Sequence, residues 1–174
     1  MFLQGVAFTG TASTFMEPHG VPSGGDWALQ RTAALFFEGT ERVAIERCVL
    51  QRLDGNAVMF SGYNRYGNVT DNTFLYTGAS AIALWGSTKG SHKLQPAGTG
   101  PDGTEGNFPR FTTVDGNFIR FLGIHEKQSS CLFQAKSAQT TITRNICFDI
   151  PRAGFNINDG FGGEWTLSCW PQCA

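Results

Sequence analysis

An internal repeat limits what this chain can fold into. Four segments carry an aliphatic residue, then Asn or Cys three positions later, then an apolar residue two further on. They are Ile45-Glu-Arg-Cys48-Val-Leu50, Val69-Thr-Asp-Asn72-Thr-Phe74, Val114-Asp-Gly-Asn117-Phe-Ile119 and Ile142-Thr-Arg-Asn145-Ile-Cys147. The aliphatic positions lie 24, 45 and 28 residues apart, and the middle gap reads as one period plus an insertion. Leu3-Gln-Gly-Val6-Ala-Phe8 is a degenerate further copy with its own insertion behind it.

A second pattern keeps step with the first. Leu35-Phe-Phe37, Val58-Met-Phe60, Ile82-Ala-Leu84, Cys131-Leu-Phe133 and Phe155-Asn-Ile157 each alternate with period two, as strands with one buried face do. Helical spacing is sustained nowhere. Two strand patterns locked to one period of about 24 residues, with Gly at the corners, predict an all-β chain wound as a parallel β-solenoid of five to six coils. The insertions fall at about 9–30 and 87–110.

Stacking the copies turns the pattern into ladders. Leu35, Val58, Ile82, Cys131 and Phe155 form one expected interior column, and Phe37, Phe60, Leu84, Phe133 and Ile157 another. Glu38, Ser61, Trp85, Gln134 and Asn158 are expected on the outside. Between them runs an apolar outward row, Phe36, Met59, Ala83, Leu132 and Asn156, which calls for a cover. Asn72, Asn117 and Asn145 are expected to stack at a corner, amide on amide, as structural residues.

Composition closes off several classes. Charged residues are 16% of the 174, Gly numbers 22, and the net charge is −1. So little charge gives no electrostatic basis for nucleic-acid binding. No apolar run is long enough for a membrane span, and Met1-Phe-Leu-Gln-Gly5 does not read as a signal peptide. Five cysteines at irregular spacing argue against a disulfide framework. Cys48 and Cys147 are expected to fill interior or corner slots as small hydrophobes. No further ligands stand at zinc-motif spacing, so neither a metal nor a cofactor is expected. Asn68-Val-Thr70 is a glycosylation sequon.

The coil pattern resembles the right-handed parallel β-helix of the pectin-lyase-like superfamily. Longer stretches resemble a group of right-handed β-helix repeat proteins. These include Pro22-Ser-Gly-Gly-Asp-Trp27, Gly55-Asn-Ala-Val-Met-Phe-Ser-Gly-Tyr-Asn64, Gly98-Thr-Gly-Pro-Asp-Gly103, Asn107-Phe-Pro-Arg110, Glu126-Lys-Gln-Ser129 and Pro151-Arg-Ala-Gly-Phe-Asn-Ile-Asn-Asp-Gly-Phe-Gly-Gly163. The resemblance implies a carbohydrate-active protein, part of a glycoside hydrolase or polysaccharide lyase acting on an extracellular polysaccharide or oligosaccharide. The same superfamily holds non-catalytic members, which leaves a glycan-binding or structural solenoid as the alternative. The chain opens in mid-coil without a cap, and the pattern breaks off after Gly163. Residues 1–163 are therefore expected to be part of a longer β-helix with further coils, inactive by itself if truncated, and 164–174 an irregular tail.

Site candidates follow from chemistry and placement. Glycosidic hydrolysis usually needs two acids about 5 to 9.5 Å apart. Asp159 ends a strand beside a Gly-rich run, and Glu126 stands in a turn one or two coils away. These are the expected general acid and base. A lyase would need a cation near a substrate carboxylate, for which Arg152 is the candidate. Trp85 and Asn158 on the outer ladder, with Asp26, Trp27, His92 and Arg110 in the insertions, are the expected substrate-binding residues, because long loops on a rigid scaffold build binding sites.

Overall fold

The computed structural model describes residues 1–22, 28–87 and 103–158, together with the backbone of strand Thr166–Ser168. Among these residues there is no helix. The strands in chain order are β1 (Phe2–Gln4), β2 (Ala7–Thr9), β3 (His19–Gly20), β4 (Leu29–Gln30), β5 (Leu35–Glu41), β6 (Ala44–Glu46), β7 (Val49–Leu53) and β8 (Val58–Arg65). Then come β9 (Asn68–Thr70), β10 (Thr73–Thr77), β11 (Ile82–Trp85), β12 (Pro109–Arg110), β13 (Thr113–Asp115) and β14 (Phe118–Arg120). The last are β15 (Ser130–Ala135), β16 (Thr141–Thr143), β17 (Ile146–Phe148), β18 (Ala153–Asn158) and β19 (Thr166–Ser168).

Three parallel sheets take these strands in rotation. The first is β1-β6-β9-β13-β16-β19, the second β2-β7-β10-β14-β17, and the third β5-β8-β11-β15-β18 with β12 beside the far half of β8. One passage through the three sheets is called a turn below. Five such turns are present, and β19 opens a sixth. The repeat sets the register. Leu3, Ile45, Val69, Val114 and Ile142 stand opposite one another in the first sheet, and Phe8, Leu50, Phe74, Ile119 and Cys147 in the second. Leu167, 25 residues after Ile142, pairs with it in the same sheet.

The corners are closed by two devices. One is the expected amide ladder. Asn72 Nδ2 donates to Asn117 Oδ1 at 3.0 Å and Asn117 Nδ2 to Asn145 Oδ1 at 2.9 Å, while each side chain also serves backbone groups. Cys48, buried, holds the next rung, and its N–H donates to Asn72 Oδ1. The other device is a residue in the left-handed region at each corner: Arg42, Tyr66, Phe111 and Gln139 at one, Arg52, Tyr76, Phe121 and Asp149 at another, and Arg47, Asp71, Gly116 and Arg144 beside the amide ladder. Each such residue bends the chain within one position.

Two expectations change in the third sheet. Ile82 pairs with Leu132, not with Cys131, and the whole of β15 is shifted by one residue. Leu132 is therefore the interior residue, Phe133 points outward, and the outer column runs Glu38, Ser61, Trp85, Ala135, Asn158. Cys131 and Cys147 form a disulfide across the interior, contrary to the expectation from cysteine count and spacing. Gln134 then stands inside, between Leu84 and Ile157, fully buried, with neither amide atom hydrogen-bonded. An unpaired buried amide costs on the order of 1–3 kcal/mol. Gln134→Leu should therefore raise the stability read from urea unfolding by about 1–2 kcal/mol. A loss of stability in that variant would show that the amide has a partner.

The two insertions differ in placement. Residues 10–22 and 28–34, between β2 and β5, form a strap whose antiparallel pair β3–β4 lies on the outward face of the third sheet. There Leu29 packs with Met59, Ala83, Trp85 and Phe133 in a second apolar cluster, separate from the interior. This covers Met59 and Ala83 of the apolar outward row, with Phe133 in place of Leu132, and leaves Phe36 exposed. The 87–108 segment leaves the third sheet between β11 and β12 and is closed at its base by Ser87 N–H to the Asn107 carbonyl, 2.8 Å.

Candidate acid–base cleft

The repeat spacing of 28 between Val114 and Ile142 hides a longer loop. From Phe74 to Ile82 is eight residues, but from Ile119 to its register equivalent Leu132 is thirteen. The added residues carry His125 and Glu126. Their backbone N–H groups both donate to the Gly78 carbonyl, at 3.1 and 2.9 Å, which fixes the loop against the preceding turn. Gly78 has to be glycine. A Cβ there would collide with the Asp54 carbonyl and lie 3.0 Å from the His125 ring.

Glu126 projects under the strap. Its side chain is 11% exposed, and Oε1 stands 3.5 Å from His19 Nε2 on β3, an electrostatic contact without hydrogen-bond geometry. Burial raises the Glu126 carboxyl above its ordinary value, and the nearby His19 and His125 rings oppose this only in part. Beside it opens a cleft of about 450 Å³ lined by Arg52, Leu53, Asp54, Tyr76, Ile124 and His125. Asp54 accepts from Ser13 Oγ at 2.7 Å, and the His125 ring lies tilted against Phe15 with centroids 5.2 Å apart. The strap thus supplies Ser13, Phe15 and His19 to one locality, while the stacked turns supply Asp54, Tyr76, His125 and Glu126.

The other expected residues do not gather here. Trp85 is a correction. It is 4% exposed, with the strap at Gly20 against its indole and Arg31 over its ring, so it offers no face to a sugar. Arg110 lies at a different corner, bonded to Gln139 with its guanidinium 4.7 Å from the Phe111 ring. Arg152 lines a separate cavity of about 460 Å³ at the C-terminal edge, with Cys147, Asp149 and Phe155. Asn158 is in the outer column on β18, two strands from Trp85, its amide donating to Asn156 Oδ1 at 2.8 Å. Asp159, Asp26, Trp27 and His92 lie outside the described residues. The cleft residues Asp54, Tyr76 and His125, and His19 beside Glu126, carry no signal in the sequence. His19 and Glu126 are 107 positions apart, and only the excess loop length hinted at the place.

The outer corners carry aromatic pairs. Tyr76 stacks on Phe121, and Tyr66 on Phe111, each with centroids 4.9 Å apart. Arg120 lies over Phe121 at 4.1 Å.

Among the described residues no group of His, Cys, Asp and Glu forms a metal site, and no helix is long and apolar enough to cross a membrane. Neither a protein-family model, nor a curated protein, nor a solved structure matches the chain.

Proposed function

We propose that the chain is a right-handed parallel β-helix acting on an extracellular polysaccharide, with Glu126 as the proton donor of a glycosidase or lyase site. The observation that carries this reading is a carboxyl group, Glu126, held toward its neutral form by burial and adjoining His125, which lines an open cleft together with the carboxylate Asp54. Glycosidic cleavage commonly uses two carboxyl groups, one of which gives its proton to the leaving oxygen. Rotation of the strands through three parallel sheets supports the solenoid, and the Cys131–Cys147 disulfide fits an oxidising, extracellular compartment.

Polysaccharides offered as a panel, with reducing ends and unsaturated products as readouts, test the reading. Glu126→Gln should lower turnover by about a hundredfold or more while leaving binding in place. Binding with no turnover in the unaltered protein would favour the glycan-binding module, which the aromatic and Arg corners also suit. Neither binding nor turnover across the panel would end the carbohydrate reading.

The same variant reports on pH. A carboxyl whose folded value is raised stabilises the fold relative to ionisation at low pH, and that contribution is lost as pH rises through the folded value. The Gln variant should therefore match the parent well below pH 4.5, the ordinary value for this group, and gain on it as pH rises above 4.5. A thermal-melt difference that does not change with pH would mean that Glu126 ionises as it does in water.

A further inference from the structure

Arg31 follows β4 and closes the strap onto the third sheet. Its Nε donates to Ser61 Oγ at 2.9 Å and its Nη2 to the Trp85 carbonyl at 3.0 Å, with the guanidinium carbon 4.9 Å from the Trp85 ring centroid. These contacts use one edge of the fork. A guanidinium has five N–H donors, so the Nη1–Nη2 edge keeps its own, and among the described residues no acceptor meets it. Among the described residues the acid whose charge acts on Arg31 is Glu38, whose Oε1 accepts from Ser61 Oγ at 2.9 Å. Among the described residues the cation is thus held by neutral oxygens and an indole face, with no direct ion pair.

The same guanidinium borders a cavity of about 190 Å³ shared with Gly20, Val21, Trp85, Gly86 and Ser87, and with the buried Lys136. Part of its wall is bare backbone by necessity. A Cβ on Gly86 would collide with the Lys136 carbonyl, and one on Gly20 would lie 3.0 Å from the Trp85 ring. The space exceeds the roughly 30 Å³ of a single water. A guanidinium whose end-on fork is pre-set by two hydrogen bonds and a ring contact is a receptor for a group with two oxygens at fork spacing.

We infer that the Arg31–Trp85 cavity binds a single oxyanion (carboxylate, sulfate or phosphate), paired end-on with Nη1 and Nη2 of Arg31. Burial, which lowers the Arg31 pKa by desolvating its charge, is relieved by such a partner. The site is on the outward face of the third sheet and stands independently of the glycan reading.

Thermal melts of the full chain decide it, in sodium sulfate, phosphate or acetate, with chloride holding ionic strength constant. The parent should gain a saturable rise in Tm with at least one oxyanion, as selective binding to the folded state requires. Arg31→Gln should abolish it. Glu38→Gln, at an exposed position, removes the competing negative charge and should tighten binding by about threefold. A response no larger than that of chloride overturns the site. So does an equal rise in Arg31→Gln, or weaker binding in Glu38→Gln. Should Arg31→Gln fail to fold, the parent titration and Glu38→Gln decide the matter between them.

Discussion

Asn117→Ala should cost about 4 kcal/mol of folding free energy, because it orphans several buried groups at once. Asn117 Oδ1 accepts from the Asn72 backbone N–H and from Asn72 Nδ2, both at 3.0 Å. Its Nδ2 donates to the Val69 carbonyl and to Asn145 Oδ1, both at 2.9 Å. Alanine supplies none of these, and Asn117 is buried, so water does not replace them without opening the corner. Each buried donor or acceptor left alone costs about 1–3 kcal/mol, and the loss falls on two neighbouring turns. Asn145→Ala, at the less buried end of the ladder, should cost about half as much. Urea unfolding of the two variants beside the parent provides the comparison. Equal and small losses would mean that the ladder is a by-product of stacking and not a support of it.

Reduction of Cys131–Cys147 should remove about 3 kcal/mol, the loop-closure value for a bridge spanning 16 residues. The bridge ties β15 in the fourth turn to β17 in the fifth across the interior, next to an edge where Ile146 is 57% exposed and Ile157 42%. Little apolar burial holds that last turn, so a covalent tie has a large share of the task. With dithiothreitol, or in Cys131→Ala/Cys147→Ala, amide exchange should quicken in β17 and β18 and remain slow in β7 to β10. Native alkylation without reductant should leave Cys131 and Cys147 unmodified. If both take up the reagent, or if reductant leaves the unfolding curve unmoved, the bridge is absent in solution.

Much of the architecture was legible because stacking writes its period into the chain. The aliphatic and Asn positions of the first two sheets paired where the repeat put them, down to the degenerate copy at Leu3. The third sheet misled at β15 for a physical reason. Register is read from alternation only where one face is buried and the other wet. Under the strap both faces are dry, so Phe133 is as well placed outward, against Trp85 and Met59, as inward. The polar Gln134, which argued for the other phase, is buried unpaired. Trp85 failed likewise, because local sequence does not reveal a cover contributed from residues 10–34. Glu126 was found as a titratable turn residue. Its setting came from His19 and Gln30 on the strap, beyond the reach of any local pattern.

The strap has a mechanical consequence. In a stack of turns each layer touches only its neighbours, and such an array loses order one layer at a time from its ends. Here one segment, beginning in the first turn, touches Asp54 and Asn56 in the second, Trp85 in the third, and Glu126 and Gln128 in the fourth. A tie of that reach makes the release of any one of these layers costly to the others. Layers two to four should then melt as one cooperative block, with fraying confined to what lies outside the clasp.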